Sequence, residues 1–188
     1  MNERNLNSLL KEKKIFLVGF MATGKTTIGK RLSNKLSLPF YDSDKKIESH
    51  LKMPVSNIFN SFGEKKFRYT EEKIILDHIF NKKLHSYIMS LGGGAFLNIN
   101  IRNAIKLKGI SVWLDANIEI IYNRVINSKN ERPLLKNNNK EQINYLLLKR
   151  NEVYKEADLK VAVINTSKEN MTRIIEEKIL NHLKLKNA

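Results

Sequence analysis

The chain has 188 residues, of which 34 are Lys or Arg and 19 are Asp or Glu, which gives a net charge of +15 at neutral pH. A chain of this length fits one domain that buries roughly 70% of the surface exposed by its unfolded form. Cysteine is absent, which excludes a disulfide framework, a thiolate nucleophile and a cysteine-based zinc site.

The basic residues are spread over every segment, and no stretch interleaves aromatic residues with a basic stripe. This pattern indicates a solvated surface rather than a specific nucleic-acid site. The chain contains no apolar run of about 18 residues and no apolar core of a signal peptide. We therefore expect a cytoplasmic monomer that binds neither a membrane nor a specific nucleic acid.

Apolar runs predict five strands, at about residues 15–18, 39–41, 86–90, 110–114 and 159–164, with helical stretches between them. Strands that alternate with helices are typical of a doubly wound sheet. The predicted fold is therefore α/β, a five-stranded parallel sheet with helices on both faces. One domain is expected over residues 14–188, after a flexible N-terminal extension over residues 1–13 that carries no motif.

Directly after the first strand, residues 19–27 satisfy the pattern G-x-x-x-x-G-K-[ST], and a helical pattern follows. A strand, a glycine-rich turn and a helix N-terminus together present N–H groups to phosphate. We expect Lys25 to reach the β- and γ-phosphates and the Thr26 hydroxyl to contact Mg²⁺. The segment predicts binding of a nucleoside triphosphate by Gly19, Met21, Ala22, Thr23, Gly24, Lys25, Thr26 and Thr27.

Ligands of open parallel sheets lie beyond the carboxyl ends of the strands. Asp42 and Asp44 follow the second strand, where one carboxylate suits a magnesium water and the other suits a hydroxyl proton. The simpler alternative is a helix cap. Three glycines, 92–94, follow the third strand and suit close approach of the backbone to a ligand, although a plain turn would explain them too.

Arg68, Arg132 and Arg150 each lie in a distinct local segment. Two parallel donors of a guanidinium match the two oxygens of a carboxylate or phosphate. Taken singly, each arginine would more often be surface charge.

Taken together, the segments GFMATGKTT, DSD, IFNSFGEKKFR, LGGG, RPLL and RNEVY, in this order, resemble the shikimate kinase family from about residue 14 to residue 158. The resemblance implies a P-loop kinase fold and Mg²⁺-dependent phosphoryl transfer from ATP to the 3-hydroxyl of shikimate. That reaction belongs to the chorismate and aromatic amino-acid pathway.

For the acceptor, the resemblance implies that Asp44 binds and activates the hydroxyl and that Arg68 and Arg150 clamp the carboxylate. Glu71 would hold Arg68 as an i,i+3 partner. Further contacts are implied for the backbone of Gly92, Gly93 and Gly94 and for an aromatic wall of Phe59 and Phe67.

For the nucleotide, the resemblance implies that Lys25 and Arg132 act on the transferring phosphoryl group, with Arg132 on a lid near residues 128–141. Asp42 would be an outer-shell partner of Mg²⁺. Arg124 is a weaker match to an arginine near adenine, and residues 165–168 would line the base.

The sequence departs from the family pattern at two positions, and two alternative functions remain open. Leu91 stands where many members of the family have Thr, and Glu152 stands where Pro is frequent. One alternative is a different small-molecule kinase, for gluconate or a nucleotide. The other is a regulatory P-loop ATPase, for which the strand ending at Asp115 supplies a magnesium candidate, although that residue is more simply a helix cap.

Overall fold

The computed structural model describes residue 10, residues 12–127 and residues 139–187. Its five strands are β1 (Lys14–Val18), β2 (Phe40–Asp42), β3 (Tyr87–Ser90), β4 (Gly109–Asp115) and β5 (Leu159–Ala162). They form one parallel sheet in the order β2-β3-β1-β4-β5. The predicted doubly wound five-stranded sheet is thus confirmed.

The helices of this part of the chain are α1 (Lys25–Leu36), α2 (Ser43–Leu51), α3 (Val55–Phe80), α4 (Ile99–Lys108), α5 (Ile118–Ile126), α6 (Lys140–Tyr154) and α7 (Lys168–Asn187), with a 3-10 turn at Ala95–Leu97. None of them is both long enough and apolar enough to cross a bilayer. Within the predicted N-terminal extension, Leu10 is buried in the main core and its carbonyl accepts a hydrogen bond from Ser86. The packed part of the chain therefore begins before residue 14.

The central strand β1 is buried along its whole length. Its side chains alternate between the two faces of the sheet, and both faces are covered by helices. The register pairs Leu17 with both Ser90 and Val112, and Asp42 with Ser90. Because the strands are parallel and in this register, their carboxyl ends meet along one edge of the sheet, where the motifs of the sequence follow them.

Helix α3 bends at Gly63, whose backbone has φ 74° and ψ 170°. This conformation is essentially restricted to glycine, so the bend is encoded by the residue type. The bend lies between Phe59 and Phe67, whose rings contact each other with centroids 4.5 Å apart. Together with Ile47 and Ile58, Phe67 forms a small second core that is separate from the main one.

A buried histidine lies between helix α3 and the sheet. His78 is 8% exposed, and its ring contacts the rings of Tyr41 and Tyr87 with centroids 4.4 and 4.8 Å away. Its Nε2 has no hydrogen-bond partner in the described residues. Burial is the main cause that lowers the pKa of His78 to about 4, and the positive charges of Lys46 and Lys14 lower it further.

We predict that this histidine makes the fold less stable in acid. The unfolded chain binds a proton near pH 6.5 and the folded chain only near pH 4, so stability falls as the pH is lowered through that interval. Over the whole interval the difference corresponds to roughly 3 kcal/mol, of which about 2 kcal/mol is lost between pH 7.5 and pH 5. Replacing His78 with Phe keeps an aromatic ring and should remove this part of the acid sensitivity, which denaturant unfolding at pH 7.5 and pH 5 measures.

His85 provides the matched control because it is exposed. His85→Phe should lose as much free energy of unfolding between the two pH values as the wild type. If His78→Phe also loses that amount, the histidine is not the source of the acid sensitivity.

Candidate active site

A cavity of about 1230 Å³ opens at the carboxyl ends of the strands. It brings together residues that are up to 150 positions apart in the chain, from Met21 to Met171. The predicted site residues that line it are Met21, Ala22, Thr23, Gly24, Lys25, Thr26, Thr27, Asp42, Asp44, Arg68, Gly92, Gly93, Gly94, Arg124 and Arg150. Gly19 is not among the lining residues, and Arg132 falls outside the described residues.

The glycine-rich turn after β1 is held by hydrogen bonds within itself. Lys25 Nζ donates to the carbonyl oxygens of Gly19 and Phe20 over 2.9 and 2.7 Å, and Thr23 Oγ1 donates to Phe20 over 2.9 Å. Gly24 precedes α1 with φ 100°, and no side chain of the described residues caps the helix. The first turn of such a helix presents N–H groups to an anion.

Arg124 braces this turn from helix α5. Its Nη1 donates to the carbonyl oxygens of Ala22 and Thr23 over 3.0 and 3.1 Å. Val163, Ile164 and the predicted base loop residues Thr166 and Lys168 line the same cavity. The contact of Arg124 with an adenine ring stays a prediction.

Side-chain oxygens that could bind a metal ion lie close together at the start of α1. Thr26 Oγ1 donates to Asp42 Oδ2 over 2.7 Å and lies 3.4 Å from Ser90 Oγ. Mg²⁺ prefers such oxygens and usually takes its other ligands from water and phosphate. Among the described residues no group of three or more His, Asp or Glu side chains could hold a metal by itself. The arrangement therefore fits a Mg²⁺ ion that binds together with phosphates.

Asp42 also caps helix α2, as the simpler alternative predicted. Its Oδ1 accepts hydrogen bonds from the backbone N–H groups of Asp44 and Lys45 over 3.1 and 3.3 Å. The two oxygens of one carboxylate thus serve two purposes, the cap and the contact with Thr26. The cap also sets where Asp44 lies relative to the end of β2.

Asp44 lies in an environment that favours its neutral form. Burial is the largest cause that raises its pKa to about 6, and the neighbouring Asp42 raises it further, while Lys25 opposes the shift. At neutral pH the group is mostly ionised, yet it is a stronger base than an ordinary Asp. Its position in the cavity suits acceptance of a proton.

The glycine turn after β3 is packed against charged side chains. A Cβ on Gly92 would lie 2.5 Å from Asp44 Oδ1 and 3.0 Å from Glu71 Oε1, and one on Gly94 would lie 2.5 Å from the Arg68 guanidinium. A side chain at either position would displace these groups. A plain turn would not need this space, so close approach explains the glycines better.

Arg68 is held by two carboxylates from its own helix. Its Nη1 donates to Glu71 Oε2 over 2.7 Å, which confirms the predicted i,i+3 pair, and its Nε and Nη2 donate to Glu64 Oε1 over 3.2 and 3.1 Å. The side chain of Glu71 is 2% exposed. Burial raises the pKa of Glu71 to about 7, although Arg68 favours its charged form.

Arg150 is buried without a carboxylate. It is 4% exposed, its Nη1 donates to the Gly93 carbonyl over 3.2 Å, and it lies over the Phe20 ring. Among the described residues it forms no ion pair and its Nε has no hydrogen-bond partner. A buried guanidinium of this kind is stabilised by a ligand that brings negative charge.

Two site features were missed from the sequence, and one interpretation was wrong. Ser43 is fully buried and its Oγ accepts a hydrogen bond from the Gly92 N–H over 2.8 Å, and Ser90 lies beside Thr26. Asp115 does not cap a helix, because Asn117 caps α5. Asp115 instead forms an ion pair of 3.0 Å with Lys160, which the neighbouring strand β5 supplies.

Comparisons with known proteins agree with one another. A family model described as shikimate kinase matches residues 21–184. A shikimate kinase of Bartonella henselae is 37% identical over 178 residues, covering 94% of this chain and 81% of that protein. One of Mesorhizobium japonicum is 39% identical over 175 residues, covering 93% and 82%.

The shikimate kinase from Acinetobacter baumannii, whose solved structure is a complex with shikimate, is 31% identical. It superposes with a TM-score of 0.85 over 96% of this chain and 98% of that one. The resemblance of the motifs, the fold and the relatives lead to the same conclusion: this chain belongs to the shikimate kinase family.

Proposed function

We propose that the protein transfers the γ-phosphoryl group of ATP to the 3-hydroxyl of shikimate in the chorismate and aromatic amino-acid pathway. The observation that carries the proposal is the pair of guanidinium groups beside the glycine turn, the partly exposed Arg68 against Gly94 and the buried Arg150 against Gly93. They share the cavity with the phosphate-binding turn and with Asp44. A hydroxy acid with one carboxylate fits this arrangement of charges.

Asp44 acts in this proposal as the group that receives the hydroxyl proton. Its raised pKa supports that role, since a base is most effective when its pKa lies near the working pH. Lys25 and the N–H groups of the turn after β1 stabilise the negative charge of the phosphates. The protein therefore contributes positioning and electrostatics, which phosphoryl transfer chiefly requires.

Thr26 and Asp42 are the residues that would hold Mg²⁺. When bound, the ion neutralises charge on the β- and γ-phosphates. Arg132 and a lid near residues 128–141 stay predictions from the sequence, and they would exclude water from the reacting groups. The cytoplasmic location, the monomeric state and the absence of specific nucleic-acid binding also stay predictions.

The proposal is tested by turnover. With Mg²⁺ and ATP, formation of ADP should depend on added shikimate, and chelation of the metal should abolish it because the phosphate charge is then not neutralised. A coupled ADP assay over a panel of hydroxy acids, including gluconate, measures this dependence. Equal consumption of ATP with and without shikimate would favour a regulatory ATPase.

Asp44→Asn should lower kcat by about 10²–10⁴-fold, because the amide keeps the shape of the side chain but cannot accept the proton. Binding of ATP should persist, as measured by calorimetry. Asp115→Asn is the matched control. It weakens only the pair with Lys160, should keep kcat near the wild-type value, and costs at most about 1 kcal/mol in stability. An active Asp44→Asn enzyme would remove Asp44 from the reaction.

Arg150→Lys keeps the positive charge but loses the planar fork, so we expect the KM for shikimate to rise much more than the KM for ATP. Arg173→Lys makes the same change at an exposed arginine that pairs with Glu177. It should leave both constants unchanged. An unaltered KM for shikimate in Arg150→Lys would contradict the carboxylate clamp.

A further inference from the structure

The carbonyl oxygen of Gly93 is a meeting point between helix α6 and the glycine turn. It accepts hydrogen bonds from two side chains of that helix, Arg150 Nη1 over 3.2 Å and the hydroxyl of Tyr154. The two donors are four residues apart, which places them on one face of the helix. One backbone oxygen thus holds both.

Gly93 also lies close to the phosphate-binding turn. A Cβ on Gly93 would lie 3.3 Å from the backbone nitrogen of Met21 and 3.8 Å from the carbonyl oxygen of Gly19. The residue is therefore packed between the nucleotide end of the cavity and helix α6. A shift of its carbonyl would move the guanidinium of Arg150 relative to that turn.

The ring of Tyr154 has little freedom to move. It is fully buried in the main core and lies near the rings of Trp113 and Phe96, with centroids 6.0 and 6.4 Å away. Burial is the main cause that raises the pKa of its hydroxyl to about 12, so the group remains a proton donor at neutral pH. Packing alone would be satisfied by Phe, whereas the hydroxyl adds a donor at a defined place.

Arg68 and Arg150 are positioned by different chemistry. Arg68 is held by the carboxylates of Glu71 and Glu64, which offset its charge. The hydrogen-bond partners of Arg150 are neutral groups, the Gly93 carbonyl and the Tyr154 hydroxyl that shares this carbonyl. These contacts orient Arg150 without neutralising it, so its charge remains for a ligand.

We propose that the Tyr154 hydroxyl is a positioning group for the carboxylate end of the acceptor: it fixes the Gly93 carbonyl and, through it, the Arg150 guanidinium. This inference rests on the proposed function. It predicts that removal of the Tyr154 hydroxyl oxygen weakens the binding of shikimate and leaves the binding of ATP unchanged.

The test is Tyr154→Phe, which keeps the ring and removes the hydroxyl. We expect the KM for shikimate to rise roughly five- to tenfold, which corresponds to the loss of one hydrogen bond. The KM for ATP should change by less than about twofold. Tyr145→Phe is the matched control, because Tyr145 is on the same helix and is 70% exposed. It should leave both constants at wild-type values.

Two further measurements separate positioning from a loss of structure. The rise in melting temperature produced by saturating shikimate should be smaller in Tyr154→Phe than in the wild type, while the rise produced by ATP should be equal. The effects of Tyr154→Phe and Arg150→Lys on the shikimate KM should combine to less than their product, because both act through one guanidinium.

A Tyr154→Phe enzyme that melts at a lower temperature but has unchanged responses to shikimate would show that the hydroxyl only stabilises the core. Equal losses for both substrates would also overturn the inference. A wild-type protein that turns over ATP without any dependence on shikimate would overturn the proposed function first, and this inference with it.

Discussion

The site depends on the lack of side chains at residues 92–94, where three unlike groups contact one short turn. The carboxylate of Asp44 lies against Gly92, the backbone of the phosphate-binding turn lies near Gly93, and the guanidinium of Arg68 lies against Gly94. An acid, an anion site and a cation are thereby brought within one cavity. The parallel register of β1, β2 and β3 brings these segments to the same edge, but only the absence of Cβ atoms allows them to approach this closely.

Bringing these charged groups together in a buried place costs free energy, and the neighbouring residues offset this cost to different degrees. Burial raises the pKa of both Asp44 and Glu71, which means that the fold destabilises their charged forms. Arg68 offsets this effect for Glu71, with which it forms a short ion pair. Arg150 has no such partner among the described residues. The positive charge of Arg150 is therefore not neutralised by the described residues of the cavity. An anionic ligand that binds there would replace water and compensate this charge.

Much of this arrangement could be predicted from the sequence, because the features that mattered were local. The strand, turn and helix around Lys25 identify a phosphate site by themselves. The pair of Arg68 and Glu71, which the structure contains, was implied by the family resemblance. Contacts between distant segments could not be predicted in this way. Tyr154 and Gly93 are 61 residues apart, and Lys160 reaches Asp115 only because β5 lies beside β4. The prediction that Asp115 caps a helix was wrong because Asn117, two residues later, carries the same local signal and is the actual cap.

The two hydrophobic cores divide the site into parts of different local stability. The nucleotide end is built on β1 and α1, whose buried side chains belong to the large main core. The wall formed by α2 and the first part of α3 has a small core of its own, with Ile47, Ile58 and Phe67 as its buried members. Fewer buried apolar side chains mean a smaller free energy of local opening. The bend at Gly63 lies within this wall, so movement there would disturb the acceptor end of the cavity while the phosphate-binding turn stays supported by the sheet.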